Sequence, residues 1–260
     1  GNKTTGVDKR RLRIGSKKDW VYIYRIWKNI KINPDRYGLE YCKPLRRVMI
    51  PKPDGTQRPL GIPTHVDRIV QAIITPIIET YVEAICHIHK LNSFGFRPSM
   101  KTADAINCLT SFAWQGMNAI ALDADIEKCF DQISHRQILS LVADEVKADH
   151  GTTRMVKAMI NSGFINIDGN LHETTEGTPQ GGVISPAIAN MVLRNAVDIP
   201  MSKLKLTGYL KINCTSYADD FVVTMSPQGY CTNKHKELAK DKLTKELEIN
   251  LKEYGLNLKQ

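Results

Sequence analysis

The sequence has no long hydrophobic run, no cysteine pair at C-x-x-C spacing and no internal repeat. Each absence removes a class of protein. No stretch approaches eighteen consecutive apolar residues, so no membrane span is expected. The six cysteines, Cys42, Cys86, Cys108, Cys129, Cys214 and Cys231, are scattered, and several lie inside apolar runs. That usage suits reduced, buried thiols rather than a disulfide framework. Cys86-His87-Ile88-His89 matches no common structural zinc spacing and reads as a helix end with solvated histidines. Residues 1–13 are basic and polar, without the apolar core of a signal peptide. Lacking that, the patterns Asn2-Lys3-Thr4 and Asn213-Cys214-Thr215 carry little weight as glycosylation sites.

What is present is an ordinary globular composition with a charge imbalance. The 260 residues are 42% hydrophobic and 24% charged, enough for a sizeable core in one large or two smaller domains. Lys and Arg number 36 against 27 Asp and Glu, a net charge of +9. That excess favours a polyanionic partner, nucleic acid first and anionic membrane second.

Periodicity predicts helices over 20–33, 66–89, 99–114, 135–146, 153–160, 185–197 and 232–253. Pro76 should divide the second or start its latter half, and Ala103, Ile106 and Leu109 or Thr110 should form the buried stripe of the third. Strands are expected at 46–49, 58–62, 119–124, 210–216 and 221–225, with a hairpin over 164–174 turning at Asp168-Gly169. Helices mixed with hairpins indicate an α+β protein, not a doubly wound sheet.

Four segments carry chemistry. Tyr217-Ala218-Asp219-Asp220 falls between two strands, and adjacent carboxylates repel unless a cation joins them. Alone it is as compatible with a solvated turn as with a Mg²⁺ site. Asp123-Ala124-Asp125 ends another strand, so one strand face would carry both carboxylates. A strand-end carboxylate beside a hairpin with two more is the kind of cluster that holds two Mg²⁺ about 4 Å apart for phosphoryl transfer. Gly177-Thr178-Pro179-Gln180-Gly181-Gly182 lets the backbone approach a ligand, with Gln180 offering an amide to a sugar or base. The turn Pro51-Lys52-Pro53-Asp54-Gly55, followed by Arg58, presents two cations that could grip a triphosphate.

In order and spacing these segments resemble the reverse transcriptase of group II intron-encoded proteins. The matching blocks are Arg58 to Thr64, Asp67 to Gln71, Ser93-Phe94-Gly95-Phe96-Arg97-Pro98, Asp123 to Asp131, Thr178 to Pro186 with Ala189-Asn190, and Tyr217 to Val223. The likeness covers roughly residues 40–260. It implies the fingers and palm of a right-hand polymerase: α+β, a small antiparallel palm sheet backed by helices, no thumb within this chain. Residues 1–39 would be a basic extension, 40–115 the fingers joined by part of 150–180, and 116–260 the palm. Asp125, Asp219 and Asp220 match the catalytic, metal-binding aspartates, with Ile126 completing the metal set. Asp125 is chosen over Asp123 because the family's aromatic gate falls five residues later, at Phe130, whose ring would clash with a 2′-hydroxyl. Lys52, Arg58, Phe130 and Gln180 are then the nucleotide-binding residues. Arg46, Arg47, Arg68 and Arg97 are RNA-binding candidates, with palm contact the other reading for Arg97.

The resemblance implies RNA-directed DNA synthesis with two Mg²⁺, Mn²⁺ being a substitute. Partners would be an RNA template, the intron RNA, a DNA primer and dNTPs, with a homodimer as one open assembly and no membrane. Localisation would follow the host, bacterial cytoplasm or an organelle. Family members continue past Lys259 and Gly1 is not a methionine, so a fragment with weak synthesis of its own is expected. Two alternatives stand beside this. One is an RNA-binding splicing cofactor with relic aspartates. The other is a related retron, diversity-generating, CRISPR-associated or defence enzyme.

Overall fold

The computed structural model describes every residue except 1–3, 14, 54, 116–119, 179, 205, 207–209, 228 and 260. Two residues of the candidate motifs, Asp54 and Pro179, thus lie outside the described residues. In chain order the first elements are α1 (Lys17–Ile32), β1 (Leu45–Pro51), β2 (Gln57–Ile62), α2 (His65–Ile88), β3 (Asn92–Ser93) and α3 (Thr102–Gln115). Next come β4 (Ile120–Ala124), α4 (Cys129–Gln132), α5 (His135–Ser140), α6 (His150–Ile160), β5 (Phe164–Ile165) and β6 (Leu171–His172). The last are α7 (Ser185–Leu193), α8 (Ile199–Lys203), β7 (Leu210–Tyr217), β8 (Asp220–Pro227) and α9 (Asn233–Glu253). The chain divides into two compact units, Gly1–Ile78 with Ser134–Ser185, and Glu79–Ile133 with Pro186–Gln260.

The first unit carries a sheet of order β2-β1-β5-β6. The β1–β2 hairpin is antiparallel from Arg46 opposite Ile62 to Pro51 opposite Gln57. β5 joins β1 in parallel, a pairing between segments more than a hundred residues apart that no local pattern announces. Ser16 accepts the Asp19 N–H to cap α1, and Asp149 does the same for α6 from Thr152. At the start of α2, buried Asp67 accepts hydrogen bonds from Tyr37 Oη (2.8 Å) and Thr64 Oγ1 (2.6 Å). Burial pushes the Asp67 carboxyl up, and those bonds oppose the shift.

Helix α2 is continuous through Pro76. The expected break does not occur because Pro76 and Ala72, the residue whose carbonyl loses its partner, both lie on the exposed side, where water can serve that carbonyl. Val66, Val70, Ile74, Ile78 and Val82 form its buried stripe at i, i+4 spacing. By length and composition α2 is the one described helix that could cross a membrane, and the core helix of a folded protein meets the same test, as its buried stripe shows.

The second unit is built on a sheet of order β3-β7-β8-β4. β7, β8 and β4 are antiparallel, as expected, whereas two-residue β3 adds in parallel along β7. Helix α3 packs on this sheet. The stripe expected on α3 is displaced. Ala105 is buried with Cys108 and Leu109 half-buried, while Ala103 is exposed and Ile106 is 54% exposed. The helix begins at Thr102, and its packing on β7 and β8 selects the face that carries Ala105, Cys108 and Leu109. Leu243, Leu247 and Leu251 bury one side of α9, which Thr232 caps and Gly255 (φ +80°) closes. Between α7 and α8 the chain makes a π-helical turn, Arg194–Asp198.

Candidate active site

The antiparallel register makes the acidic cluster. Tyr217 pairs with Asp220 across a two-residue turn, with Ala218 at its first corner in the left-handed region (φ +59°). Ala124 pairs with Phe221, so Asp125, the next residue, leaves β4 on the side of Asp220, the residue before Phe221. The carboxylates feel one another. Burial first, then the charges of Asp219, Asp125 and Asp123, hold the Asp220 carboxyl above the usual carboxylate range. Beneath them the Cys129 thiol is pushed up to about 12, by burial first and then by Asp219, Asp125 and Asp131.

A cation already answers part of this charge. Lys259 Nζ donates to Asp125 Oδ2 at 2.9 Å. The C-terminal segment is tied alongside: Lys259 N–H donates to the Asp125 carbonyl (2.9 Å), Glu127 N–H to Asn257 (3.0 Å), and Leu258 bridges buried Ile126. Three hard-oxygen anions in one field suit a divalent cation. Among the described residues, however, no three acidic, histidine or cysteine side chains converge to ligating distance in this arrangement.

The next turn of chain brings an aromatic into the same unit. Lys128 takes a left-handed conformation (φ +44°) and starts α4, on which half-buried Phe130 sits. Its ring meets Phe96 edge to face, with centroids 6.3 Å apart and planes at 77°. Arg97 points inward. Its guanidinium grips Glu83 through two bonds of 2.7 Å and also donates to the Ser93 carbonyl. Of the two readings left open for Arg97, this geometry is contact within the unit that carries the aspartates.

The basic candidates occupy the other unit. Lys52 and Arg58 are exposed on the β1–β2 hairpin, whose turn is closed by the Lys52 N–H on Thr56 (2.7 Å). Gln180 belongs to a loop stitched to β2, because Gly61 N–H donates to the Gln180 carbonyl at 2.7 Å. A Cβ on Gly181 (φ +105°) would lie 2.6 Å from the Gly61 carbonyl oxygen, so only glycine allows that approach. Gln71 Oε1 accepts the Val183 N–H (2.7 Å) and His135 Nε2 contacts the Gly177 carbonyl (2.8 Å), which fix the loop's two sides. Arg47 lies over the Phe164 ring, 4.1 Å from its centroid. The Arg46 Nε is buried without a hydrogen-bond partner among the described residues, and Arg68 donates to the Thr4 carbonyl (2.9 Å).

The model of the reverse transcriptase (RNA-dependent DNA polymerase) family matches residues 50–260, which hold the three aspartates, Phe130, Lys52, Arg58 and Gln180 but not Arg46 or Arg47. The chain belongs to that family. Its curated relatives include the group II intron-encoded protein LtrA of Lactococcus lactis, 32% identical over 157 residues, 60% of this chain and 25% of that protein. Another is the putative COX1/OXI3 intron 1 protein of Saccharomyces cerevisiae, 35% identical over 159 residues, 58% of this chain and 17% of that protein. Within that family the chain is thus similar to group II intron-encoded proteins, and it spans a quarter or less of those two. Among solved structures, apo telomerase from Candida tropicalis, truncated from its C-terminal domain, shares the fold with a TM-score of 0.62 at 13% identity, covering 90% of this chain and 54% of that one. Telomerase from Candida albicans in complex with a fragment of telomeric RNA gives 0.60 at 12% identity, covering 93% and 46%. This is the fingers-palm fold.

Sequence reasoning passed over three participants. Lys259 is 134 positions from Asp125, beyond any spacing rule. Phe96 and Gly95 stand inside a family block, but only the folded chain sets Phe96 against Phe130 and Gly95 against the Tyr217–Asp220 turn.

Proposed function

We propose that this chain supplies the fingers and palm of an RNA-directed DNA polymerase acting on group II intron RNA. The first unit would be the fingers and the second the palm. The observation that carries the reading is that the register sets Asp125, Asp219 and Asp220 at one end of the β4-β8-β7 sheet, where burial and then the charges of its neighbours raise the Asp220 carboxyl. In the reaction a primer 3′-hydroxyl attacks the α-phosphate of a dNTP and pyrophosphate leaves. Two Mg²⁺, held by the three aspartates and the Ile126 backbone, would neutralise charge on the attacking and leaving oxygens.

The chain's own residues do the positioning. Lys52 and Arg58 bind the triphosphate, Arg58 as a multidentate donor. Gln180 reaches the sugar and template, held by its backbone bond to β2. Phe130 places its ring under the sugar and excludes a 2′-hydroxyl. Arg46, Arg47 and Arg68 add positive charge for RNA, whose binding should weaken steeply with salt.

The test is primer extension on an RNA template by the full-length protein and its Asp219→Ala variant. Extension lost in the variant supports the reading. Extension that persists overturns it, and an intact, RNA-binding protein with no extension at all favours a splicing cofactor.

A further inference from the structure

The turn Phe94–Ser99 is held far more rigidly than a surface turn needs to be. Phe94 N–H donates to the Ser216 carbonyl (2.9 Å), one residue before the catalytic box. Asn190 Nδ2 donates to the Gly95 carbonyl (2.9 Å), and both residues are buried. Arg97 is clamped on Glu83 and Ser93. Within this frame two non-glycine residues, Phe96 (φ +53°) and Ser99 (φ +64°), are forced into the left-handed region. A bulky side chain adopts that conformation only where its surroundings impose it, and such outliers cluster at functional sites. Here it holds Phe96, still half exposed, with its ring against Phe130. The centroid separation and steep interplanar angle fall within the range of favourable edge-to-face pairs.

We propose that Phe96 is a specificity-determining residue: it holds the Phe130 ring in the position from which that ring excludes a 2′-hydroxyl. This rests on the reading of Phe130 as the face beneath the incoming sugar. Phe96 acts through Phe130 and is a positioning residue. The chain of contacts also links sugar discrimination to the catalytic hairpin, since the turn that carries Phe96 is bonded to Ser216. A residue with a merely structural role would change stability and overall rate but not the choice between sugars.

The experiment compares kcat/KM for dNTP and rNTP incorporation on an RNA template by the full-length protein. Its variants are Phe130→Ala, Phe96→Ala, Phe96→Leu, Phe96→Tyr and the double Phe96→Ala/Phe130→Ala. Phe130→Ala should erode the dNTP preference. Phe96→Ala should erode it about three- to tenfold, the worth of one edge-to-face contact. Phe96→Leu, which keeps bulk and folding without an aromatic edge, should do the same, and Phe96→Tyr should restore the preference. The double variant should be no less selective than Phe130→Ala alone. An unchanged preference in both Phe96→Ala and Phe96→Leu, with Phe130→Ala altered, overturns the role of Phe96. So does an additive loss in the double variant. An unchanged preference in Phe130→Ala overturns the sugar reading beneath it.

Discussion

Replacing Gly95 with alanine should damage polymerisation severely, because the glycine abuts the backbone of the Tyr217–Asp220 turn. A Cβ there would lie 2.1 Å from the Ala218 nitrogen and 2.8 Å from both the Ala218 Cα and the Tyr217 carbonyl carbon. That is more than an ångström short of ordinary contact, and every obstructing atom is backbone, so no side chain can swing aside. Gly95 is not in the left-handed region, which makes the penalty one of contact and not of dihedral strain. Overpacking of this kind costs about 1–3 kcal/mol. The part that must give is the Tyr217–Asp220 turn, and a 1 Å misplacement of reacting groups costs roughly 100-fold in rate. Gly95→Ala should therefore lower primer extension about 100-fold while the urea midpoint falls by an amount equivalent to about 1–3 kcal/mol. Extension within a fewfold of the parent, with an unchanged midpoint, would refute the tight junction between the two turns.

Three further outcomes follow from the palm. Arg194 and Asp198 form a buried ion pair whose acidic partner accepts from Ser216 Oγ (2.9 Å), so Arg194→Met should cost about 3–5 kcal/mol in chemical denaturation by stranding Asp198. Lys259→Met should tighten Mn²⁺ binding, read by electron paramagnetic resonance, by about threefold, since the exposed ammonium no longer competes for Asp125; weaker binding would mean that Lys259 assists the metal instead. The Arg97 hydrogen bond holds the Glu83 carboxyl below its ordinary range. A lowered carboxylate stabilises the fold above its unfolded value and loses that contribution as pH falls through the folded one. Melting temperature should thus drop on acidification below the usual carboxylate range, and Glu83→Gln should flatten that part of the profile.

Much of the palm is legible along the chain because it depends on local alternation. The runs 210–216 and 221–225 read as strands and are strands, and the box between them falls on their turn. Thr232 and Gly255 mark the two ends of α9 as capping chemistry predicts. Where local rules failed, exposure or long-range pairing decided. Pro76 leaves α2 intact because Ala72, whose carbonyl lacks the N–H that proline cannot supply, lies on the exposed side. The inward face of α3 is set by the sheet it packs on. The candidate site divides in the same way. Its aspartates, basic hairpin and Gly-rich loop are contiguous motifs. The contacts of Lys259 with Asp125 and of Phe96 with Phe130 join segments 134 and 34 positions apart, the first through backbone bonds of the C-terminal segment and the second through the turn bonded to Ser216.

The central claim is tested most directly by single-turnover incorporation of a dNTP on an RNA template, with Mg²⁺ supplied and withheld. It should be run with the full-length protein and its Asp219→Ala/Asp220→Ala variant. Extension should depend on Mg²⁺ and be lost in the double variant, which should still bind the template. Extension that survives in the double variant, or that ignores Mg²⁺, would contradict it.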